Sequence, residues 1–336
     1  MEKPVFIGGA GSSGSTLLSV LLNRHPEIAC GPEMSFFNKS RIYDVSFDVF
    51  RAKFNSWSKK GLNTDGYWLY PGFLLNREYY GLTQENLNYF LRNSNSLKEF
   101  TDHVIEIILQ KEKKRIFAEK TPSNAYCFKK IVKLYPDAKI VHLYRDGRDA
   151  FCSFKKKTDH PFMSSSAWLY NTVAALSCET LPNYLATSYE QLVSNTRETL
   201  KAICDHIEIE YSERMLDQTA EEIEEKTRQG HRAWMSRPKD AISTSSIGRY
   251  KTEMTETDKA IFWNTALTKN SEKMLETKLR SPVQVLTKLG YSSLEGKLSV
   301  RCNLRQRIDS EKTYIKKLIR SIKLGRGMIY RKTRLY

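Results

Sequence analysis

The sequence lacks the features that define several classes of protein. It has no internal repeat and no apolar run near the roughly 18 residues that a membrane span needs. Its six cysteines are widely spaced without a C-x-x-C pair, which argues against a zinc site or a dense disulfide framework. Glu2, Lys3 and Pro4 precede a short apolar run, unlike the start of a signal peptide. We therefore expect a cytoplasmic protein, with peripheral membrane attachment left open.

Positive charge is concentrated at one end of the chain. The net charge is +16, and residues 297–336 contribute 13 Lys/Arg against 2 acidic residues, a net of +11. Apolar and basic residues alternate from Tyr314 to Leu324, which is typical of a basic amphipathic helix. We expect this tail either to lie on an anionic membrane surface or to dock on a domain formed by residues 1–296, with a solvated helix as the simpler alternative. No nucleic-acid partner is expected.

Apolar patterns along the chain predict an α/β fold. Short apolar runs at residues 5–7, 116–118, 139–144 and 184–187 predict buried strands, with helical patterns between them. This alternation predicts a P-loop-like central parallel sheet flanked by helices, followed by the basic C-terminal helix. Residues 36–100 are rich in aromatic side chains and predict a helical insertion that covers a substrate site. Later helices are expected at 256–267 and 271–289.

A glycine-rich turn follows the first predicted strand. Residues 9–16 read GAGSSGST and nearly match the phosphate-binding pattern G-x-x-x-x-G-K-[ST], but Ser15 stands where that pattern has lysine. A turn between strand and helix directs backbone N–H groups and the positive end of the helix dipole at one point. Without the lysine, the loop suits a single 5′-phosphate better than a triphosphate; a turn needed only for packing is the alternative. The candidate ligands are Gly11, Ser12, Ser13, Gly14, Ser15 and Thr16.

A second candidate anion site follows the clearest strand, in the segment LYRDGRDAFCS. Arg145 ends that strand, where open α/β sheets bind ligands, and Ser153 follows eight residues later on the next helix. A guanidinium and a hydroxyl at this spacing can converge on one phosphate. Taken alone, the R-D-G-R-D turn is more typical of a salt-bridged corner. Together with the glycine-rich turn, it favours a nucleotide phosphorylated at both its 5′ and 3′ ends.

These motifs resemble those of the sulfotransferases that use 3′-phosphoadenosine 5′-phosphosulfate (PAPS). GGAGSSGSTLL resembles their 5′-phosphosulfate loop, LYRDGRDAFCS their 3′-phosphate motif, and SSIGRYK at 245–251 the late segment that closes over the nucleotide. The stretch from His25 to Glu33 is similar to the tyrosylprotein-type branch. The resemblance implies a P-loop-type α/β fold, PAPS as co-substrate, transfer of a sulfuryl group and no required metal.

The resemblance also implies roles for individual residues. Lys120 would neutralise charge that builds on the transferred group and the bridging oxygen, and Glu33 would act as the base. A surface lysine and an exposed loop glutamate are the alternatives for these two positions. Further nucleotide contacts are implied for Tyr189, Arg249 and Lys251, which could equally be a core tyrosine and two solvated cations. Other candidate bases are Glu119, His25 and His142, of which His25 is expected to end a helix and His142 to pack in the core.

Three functions are compatible with these features. The leading hypothesis is a PAPS-dependent sulfotransferase that acts on a hydroxyl or amine of a glycan, lipid or peptide. A small-molecule P-loop kinase is an alternative, against which the missing lysine counts. A non-catalytic polyanion-binding protein is the third. The sequence indicates neither the acceptor nor the oligomeric state.

Overall fold

A parallel sheet forms the centre of the molecule. The computed structural model describes residues 2–60, 76–158, 160–217, 242–292, 301–323 and 332–336. The strands of the sheet are β1 (Val5–Gly9), β2 (Ile28–Cys30), β3 (Ile116–Lys120), β4 (Lys139–Tyr144) and β5 (Tyr184–Ser188). They lie in the order β2-β3-β1-β4-β5, and every neighbouring pair is parallel. The predicted central sheet is therefore confirmed.

Helices connect the strands and pack on the sheet. In the first half of the chain they are α1 (Ser15–Asn23), α2 (Phe47–Lys60), α3 (Gln84–Asn93), α4 (Leu97–Glu112), α5 (Phe128–Leu134), α6 (Gly147–Thr158) and α7 (Pro161–Leu176). Then follow α8 (Tyr189–Ser194), α9 (Thr196–Ile207), α10 (Tyr250–Glu253), α11 (Glu256–Asn264), α12 (Lys269–Met274), α13 (Pro282–Lys288) and α14 (Leu304–Lys323). A separate two-stranded sheet pairs β6 (Thr265–Leu267) with β7 (Thr333–Leu335).

Both faces of the central sheet are covered by apolar side chains. Successive residues of a strand point to opposite faces. Phe6 of β1 accordingly belongs to a core with the α4 and α5 side, whereas Val5 and Ile7 belong to a second core with α1 and α9. Burial on both faces explains why the strands read as continuous apolar runs rather than alternating ones.

Phe36, Phe50 and Phe54 of the predicted insertion pack in the core. Phe50 lies 5.3 Å from Phe100 and 6.2 Å from Phe36 between ring centroids, and Phe54 lies 5.4 Å from Phe100. The described part of the insertion is helical, as predicted, whereas residues 61–75 lie outside the described residues. Its role as a substrate cover stays a prediction.

Two late elements differ from the sequence-based expectation. The helix expected at 256–267 ends at Asn264, because the next three residues form β6 and pair antiparallel with β7. The helix expected at 271–289 is divided into α12 and α13. The backbone of Glu276 adopts a φ of 51°, and Pro282 can only begin a new helix because proline cannot donate an N–H within one.

The basic tail contains the predicted helix, α14. Within the parts of the chain that the structure describes, no helix combines the length and apolar character needed to cross a bilayer. Leu324, the last residue of the expected amphipathic pattern, lies outside the described residues.

Candidate active site

The glycine-rich turn joins β1 to α1 and presents unpaired polar groups. Gly14 occupies the N-cap position of α1 with a φ of 87°. Within the described residues no side chain caps this helix, and its first turn carries no acidic residue. The buried Ser13 hydroxyl also has no hydrogen-bond partner there. The turn therefore has spare donors for an anion.

Arg145 lies beside this turn because β4 pairs with β1. Its guanidinium donates to the Ser12 carbonyl oxygen over 3.2 Å and also to the Ser246 carbonyl oxygen. It stacks 4.2 Å from the centroid of the Tyr189 ring, and its Nε has no partner among the described residues. The strand order changes direction between β1 and β4, which is where open α/β sheets place ligands. The structure therefore brings the two candidate anion sites together.

A cavity of about 760 Å³ lies between these elements, within the range of ordinary ligand sites. Ten of the residues predicted from sequence line it: Gly11, Ser12, Gly14, Ser15, Thr16, Glu33, Arg145, Ser153, Tyr189 and Arg249. Three predicted residues lie outside this lining. Ser13 and Lys120 are buried behind it, and Lys251 is exposed on α10.

The R-D-G-R-D turn contains both a salt-bridged corner and an arginine at the cavity, the two interpretations that its sequence allowed. Arg148 forms a buried ion pair with Asp146 over 2.6 Å, so the salt-bridged corner is real and leaves Arg145 to the cavity. Asp149 accepts the backbone N–H groups of Gly248 over 2.7 Å and Tyr250 over 2.9 Å. These two bonds hold the late segment, with Arg249, against α6 at the cavity rim.

Lys120 and Glu33 form an ion pair at the cavity wall. Lys120 ends β3, next to β1, and its Nζ lies 3.2 Å from Oε1 of Glu33. The lysine side chain is 1% exposed and the glutamate side chain 30% exposed, so Glu33 is the member that faces the cavity. Lys120 is therefore not a surface lysine, and its charge lies in a site of low dielectric constant where it acts strongly.

Glu119 holds this pair in place. Its buried carboxylate accepts from the Met34 backbone N–H over 3.0 Å, from the Thr121 hydroxyl over 2.6 Å and from the Asn124 amide. Burial raises the pKa of Glu119, while these three donors favour its charged form. Since Met34 follows Glu33 and Thr121 follows Lys120, the carboxylate fixes both neighbours.

The two histidines considered as bases have structural contacts. His25 Nε2 lies 2.9 Å from the Glu210 carbonyl oxygen, and its Nδ1 accepts from the Glu27 backbone N–H. His142 Nδ1 lies 2.6 Å from the Tyr184 hydroxyl, and burial lowers the pKa of His142 to about 3. Both histidines lie outside the cavity lining, as does Glu119. Of the four candidate bases, Glu33 is therefore the one that reaches the cavity.

Lys157 is a cavity cation that the sequence interpretation missed. It lies in the last turn of α6, and its Nζ donates to the Ser12 hydroxyl over 3.1 Å. Ser153 and Lys157 are four residues apart and so share one helix face, a spacing from which the lysine could have been found. Lys157 adds positive charge beside the turn that lacks the usual lysine.

The turn depends on glycine at position 14. A Cβ there would overlap Cδ2 of Tyr189, and φ of 87° is unfavourable for other residues. We expect Gly14→Ala to lower the free energy of unfolding by about 1–3 kcal/mol and to weaken binding of adenosine 3′,5′-bisphosphate about tenfold or more. Thermal melts and isothermal titration measure the two effects.

Gly290→Ala is the matched control for this substitution. Gly290 has a similar φ of 79°, but no atom lies within 4 Å of its Cβ position. This variant should therefore carry the backbone strain alone and bind the bisphosphate normally. Binding by Gly14→Ala within twofold of the wild type would show that the turn does not hold the nucleotide.

Among the residues described, no group of three or more His, Cys, Asp and Glu side chains is arranged to hold a metal ion. The site instead consists of a donor-rich turn, two cavity-facing guanidinium groups, Lys157 and the Lys120–Glu33 pair. Such an arrangement can bind anionic groups at two places and stabilise negative charge near a carboxylate base.

Two solved structures share this fold over most of their length. The sulfotransferase domain of the Synechococcus PCC 7002 olefin synthase aligns with a TM-score of 0.58 and 19% identity, covering 87% of this chain and 97% of that one. The sulfotransferase domain from the curacin biosynthetic pathway aligns with a TM-score of 0.54 and 17% identity, covering 87% and 99%. At these identities the likeness shows the fold alone.

Sequence comparison identifies the family. Protein-tyrosine sulfotransferase 1 of Danio rerio is 25% identical over 223 residues, 63% of this chain and 55% of that protein. Protein-tyrosine sulfotransferase 2 of Gallus gallus is 26% identical over 232 residues, 64% and 54% of the two chains. The matched part thus spans about half the length of these relatives. Because residues 4–213 match the model of the sulfotransferase family, the chain belongs to that family.

Proposed function

We propose that the chain transfers the sulfuryl group of PAPS to a hydroxyl or amine of its acceptor. The observation that carries the proposal is the contact between Arg145 and Ser12, which joins two separate anion-binding elements at one cavity of about 760 Å³. A nucleotide with phosphate at both its 5′ and 3′ ends requires two such elements. Arg145 lines this cavity, and its buried Nε, which has no partner among the described residues, would supply a donor for one of those phosphates.

Each group in the site then has a defined task. The turn and the α1 N-terminus would hold the 5′-phosphate end, while Arg145 and Ser153 would hold the 3′-phosphate. PAPS carries a sulfuryl group bonded to its 5′-phosphate. As the acceptor oxygen or nitrogen forms its bond to sulfur, the bond from sulfur to the bridging oxygen breaks and adenosine 3′,5′-bisphosphate leaves. Glu33 would accept the proton of the attacking group, and Lys120 would neutralise charge on the bridging oxygen.

The acceptor proposed for the first assay is a tyrosine hydroxyl in a peptide. Both sequence relatives above are named as protein-tyrosine sulfotransferases, and a carboxylate base at the cavity wall suits removal of a phenolic proton. Glycans, lipids and amines belong in the same panel, with labelled PAPS as the donor.

A comparison of the thermal shifts that two nucleotides produce tests the proposed donor. Adenosine 3′,5′-bisphosphate at 100 times its Kd is expected to stabilise the fold by about 2.7 kcal/mol, since a ligand that binds only the folded state contributes RT ln(1 + [L]/Kd). ATP with Mg²⁺ at equal concentration should give a smaller shift in thermal melts, because the turn lacks the lysine that grips the terminal phosphates. A larger shift with ATP and Mg²⁺ would point to a kinase, and no shift with either to a polyanion-binding protein.

A further inference from the structure

Helix α14 contacts the rest of the protein through its polar side. His160 Nε2 lies 2.7 Å from the Thr313 hydroxyl, and Ser310, on the same side of the helix, is 2% exposed. Just before the helix, Cys302 is buried and donates to the Ala260 carbonyl oxygen. The helix is therefore anchored to the rest of the protein by polar contacts and by Cys302, which precedes it.

The apolar side of α14 faces solvent. Leu304, Ile308, Ile315 and Ile319 are 73%, 43%, 49% and 48% exposed. With about 100° between successive residues, these four side chains fall within about 60° on the helix and form a stripe about 22 Å long. They make up four of the nine exposed large apolar side chains in the described residues, and the others are scattered. An ordinary helix of a globular protein has the opposite orientation.

Basic residues flank this apolar stripe. Arg305, Lys312 and Lys316 are exposed and lie in one row along one edge, whereas the other edge carries the exposed Arg307 together with the half-buried Glu311. The sequence of α14 contains seven Lys/Arg residues against two acidic ones. An apolar stripe flanked by basic residues is complementary to an anionic lipid surface, because the aliphatic side chains enter the acyl boundary and the cations reach the headgroups.

We propose that α14 docks the protein on an anionic bilayer surface, with its apolar stripe buried at the headgroup boundary. A second copy of the chain fits less well, since a twofold interface would place the same basic helix against itself. The apolar stripe is also narrow and continuous along the helix. This shape fits the flat surface of a bilayer better than a groove on another protein. This inference does not depend on the proposed function.

Helix α14 contacts a residue that is close in sequence to the cavity lining. His160, which contacts α14, follows three residues after Lys157 of the cavity lining.

Vesicle sedimentation of the full chain tests the proposal. We expect the chain to bind vesicles with 30% phosphatidylserine at least tenfold more tightly than pure phosphatidylcholine vesicles. The variant Ile308→Gln/Ile315→Gln/Ile319→Gln should lose at least tenfold in binding. The variant Arg305→Gln/Lys312→Gln/Lys316→Gln should lose about 10²-fold at low salt, since each basic residue near an anionic surface contributes about fivefold. The control Val49→Gln/Tyr89→Gln/Met274→Gln removes three exposed apolar side chains elsewhere and should bind normally.

Several results would overturn the proposal. One is equal pelleting of the wild type and the isoleucine variant, and another is equal binding to neutral and anionic vesicles. A concentration-dependent dimer that the isoleucine variant abolishes would identify a second copy as the occupant, and tight binding of an acidic polypeptide in place of vesicles would identify a protein partner. Melting temperatures and bisphosphate binding equal to the wild type establish that each variant is folded, so a loss of vesicle binding belongs to the helix surface.

Discussion

Replacing Lys120 by alanine should lower the rate of sulfuryl transfer by about 10²–10³-fold while adenosine 3′,5′-bisphosphate still binds within about threefold of the wild type. The lysine is buried behind the cavity lining and paired with Glu33 over 3.2 Å, and in the proposed mechanism its charge acts on the transferred group rather than on the phosphates. A group that stabilises only the transition state lowers kcat when it is removed and leaves binding intact. Single-turnover assays with labelled PAPS and isothermal titration separate the two quantities.

Lys157→Ala is the matched control, because Lys157 lines the cavity and its Nζ donates to the Ser12 hydroxyl of the turn rather than pairing with Glu33. Its removal should weaken bisphosphate binding more than it slows the chemical step.

Glu33→Gln should lower the rate of sulfuryl transfer by about 10²–10⁴-fold, as expected for loss of a general base. Full activity of Lys120→Ala, or an equal loss of binding and rate, would contradict the role assigned to the lysine.

The central sheet and the proximity of the glycine-rich turn to Arg145 could be predicted from sequence because their signals are local. β1 and β4 are buried on both faces and so appear as apolar runs, and each is followed by a short polar or glycine-rich segment that leads into a helix. Parallel strands end at one edge of a sheet, which places Ser12 and Arg145 together once their strands are neighbours. The family resemblance of the same motifs is confirmed by the family match.

Features that depend on distant partners could not be predicted in this way. β6 pairs with β7, which lies more than sixty residues further along the chain, so a local pattern reads β6 as the end of a helix. The contribution of Glu119 likewise arises from bonds to Met34 and Asn124 that form only in the folded state. The tail pattern predicted an amphipathic helix but not which side would face the domain, because polar contacts such as that of Thr313 with His160 decide it.

Replacing Arg145 by alanine should abolish the preference for a nucleotide that carries a 3′-phosphate. Arg145 is 4% exposed, and its guanidinium is fixed by two backbone carbonyls and the Tyr189 ring and keeps an unpartnered Nε within the described residues. Hydrogen bonds to a charged group contribute about 1.5–3 kcal/mol, so the loss of this contact should weaken binding of adenosine 3′,5′-bisphosphate by about 10²-fold. Isothermal titration measures the change.

Adenosine 5′-phosphate is the matched control ligand, since it lacks the 3′-phosphate and keeps the group that we propose to bind at the turn after β1. Its affinity should change by less than about tenfold in Arg145→Ala, because this substitution leaves the α1 N-terminus in place. Arg145→Lys keeps the charge but not the planar pair of donors. Its affinity for adenosine 3′,5′-bisphosphate should therefore lie between those of the wild type and Arg145→Ala. If both nucleotides lose affinity equally, Arg145 supports the turn through its bond to Ser12 rather than reading the 3′-phosphate, and the two-phosphate assignment of the cavity fails.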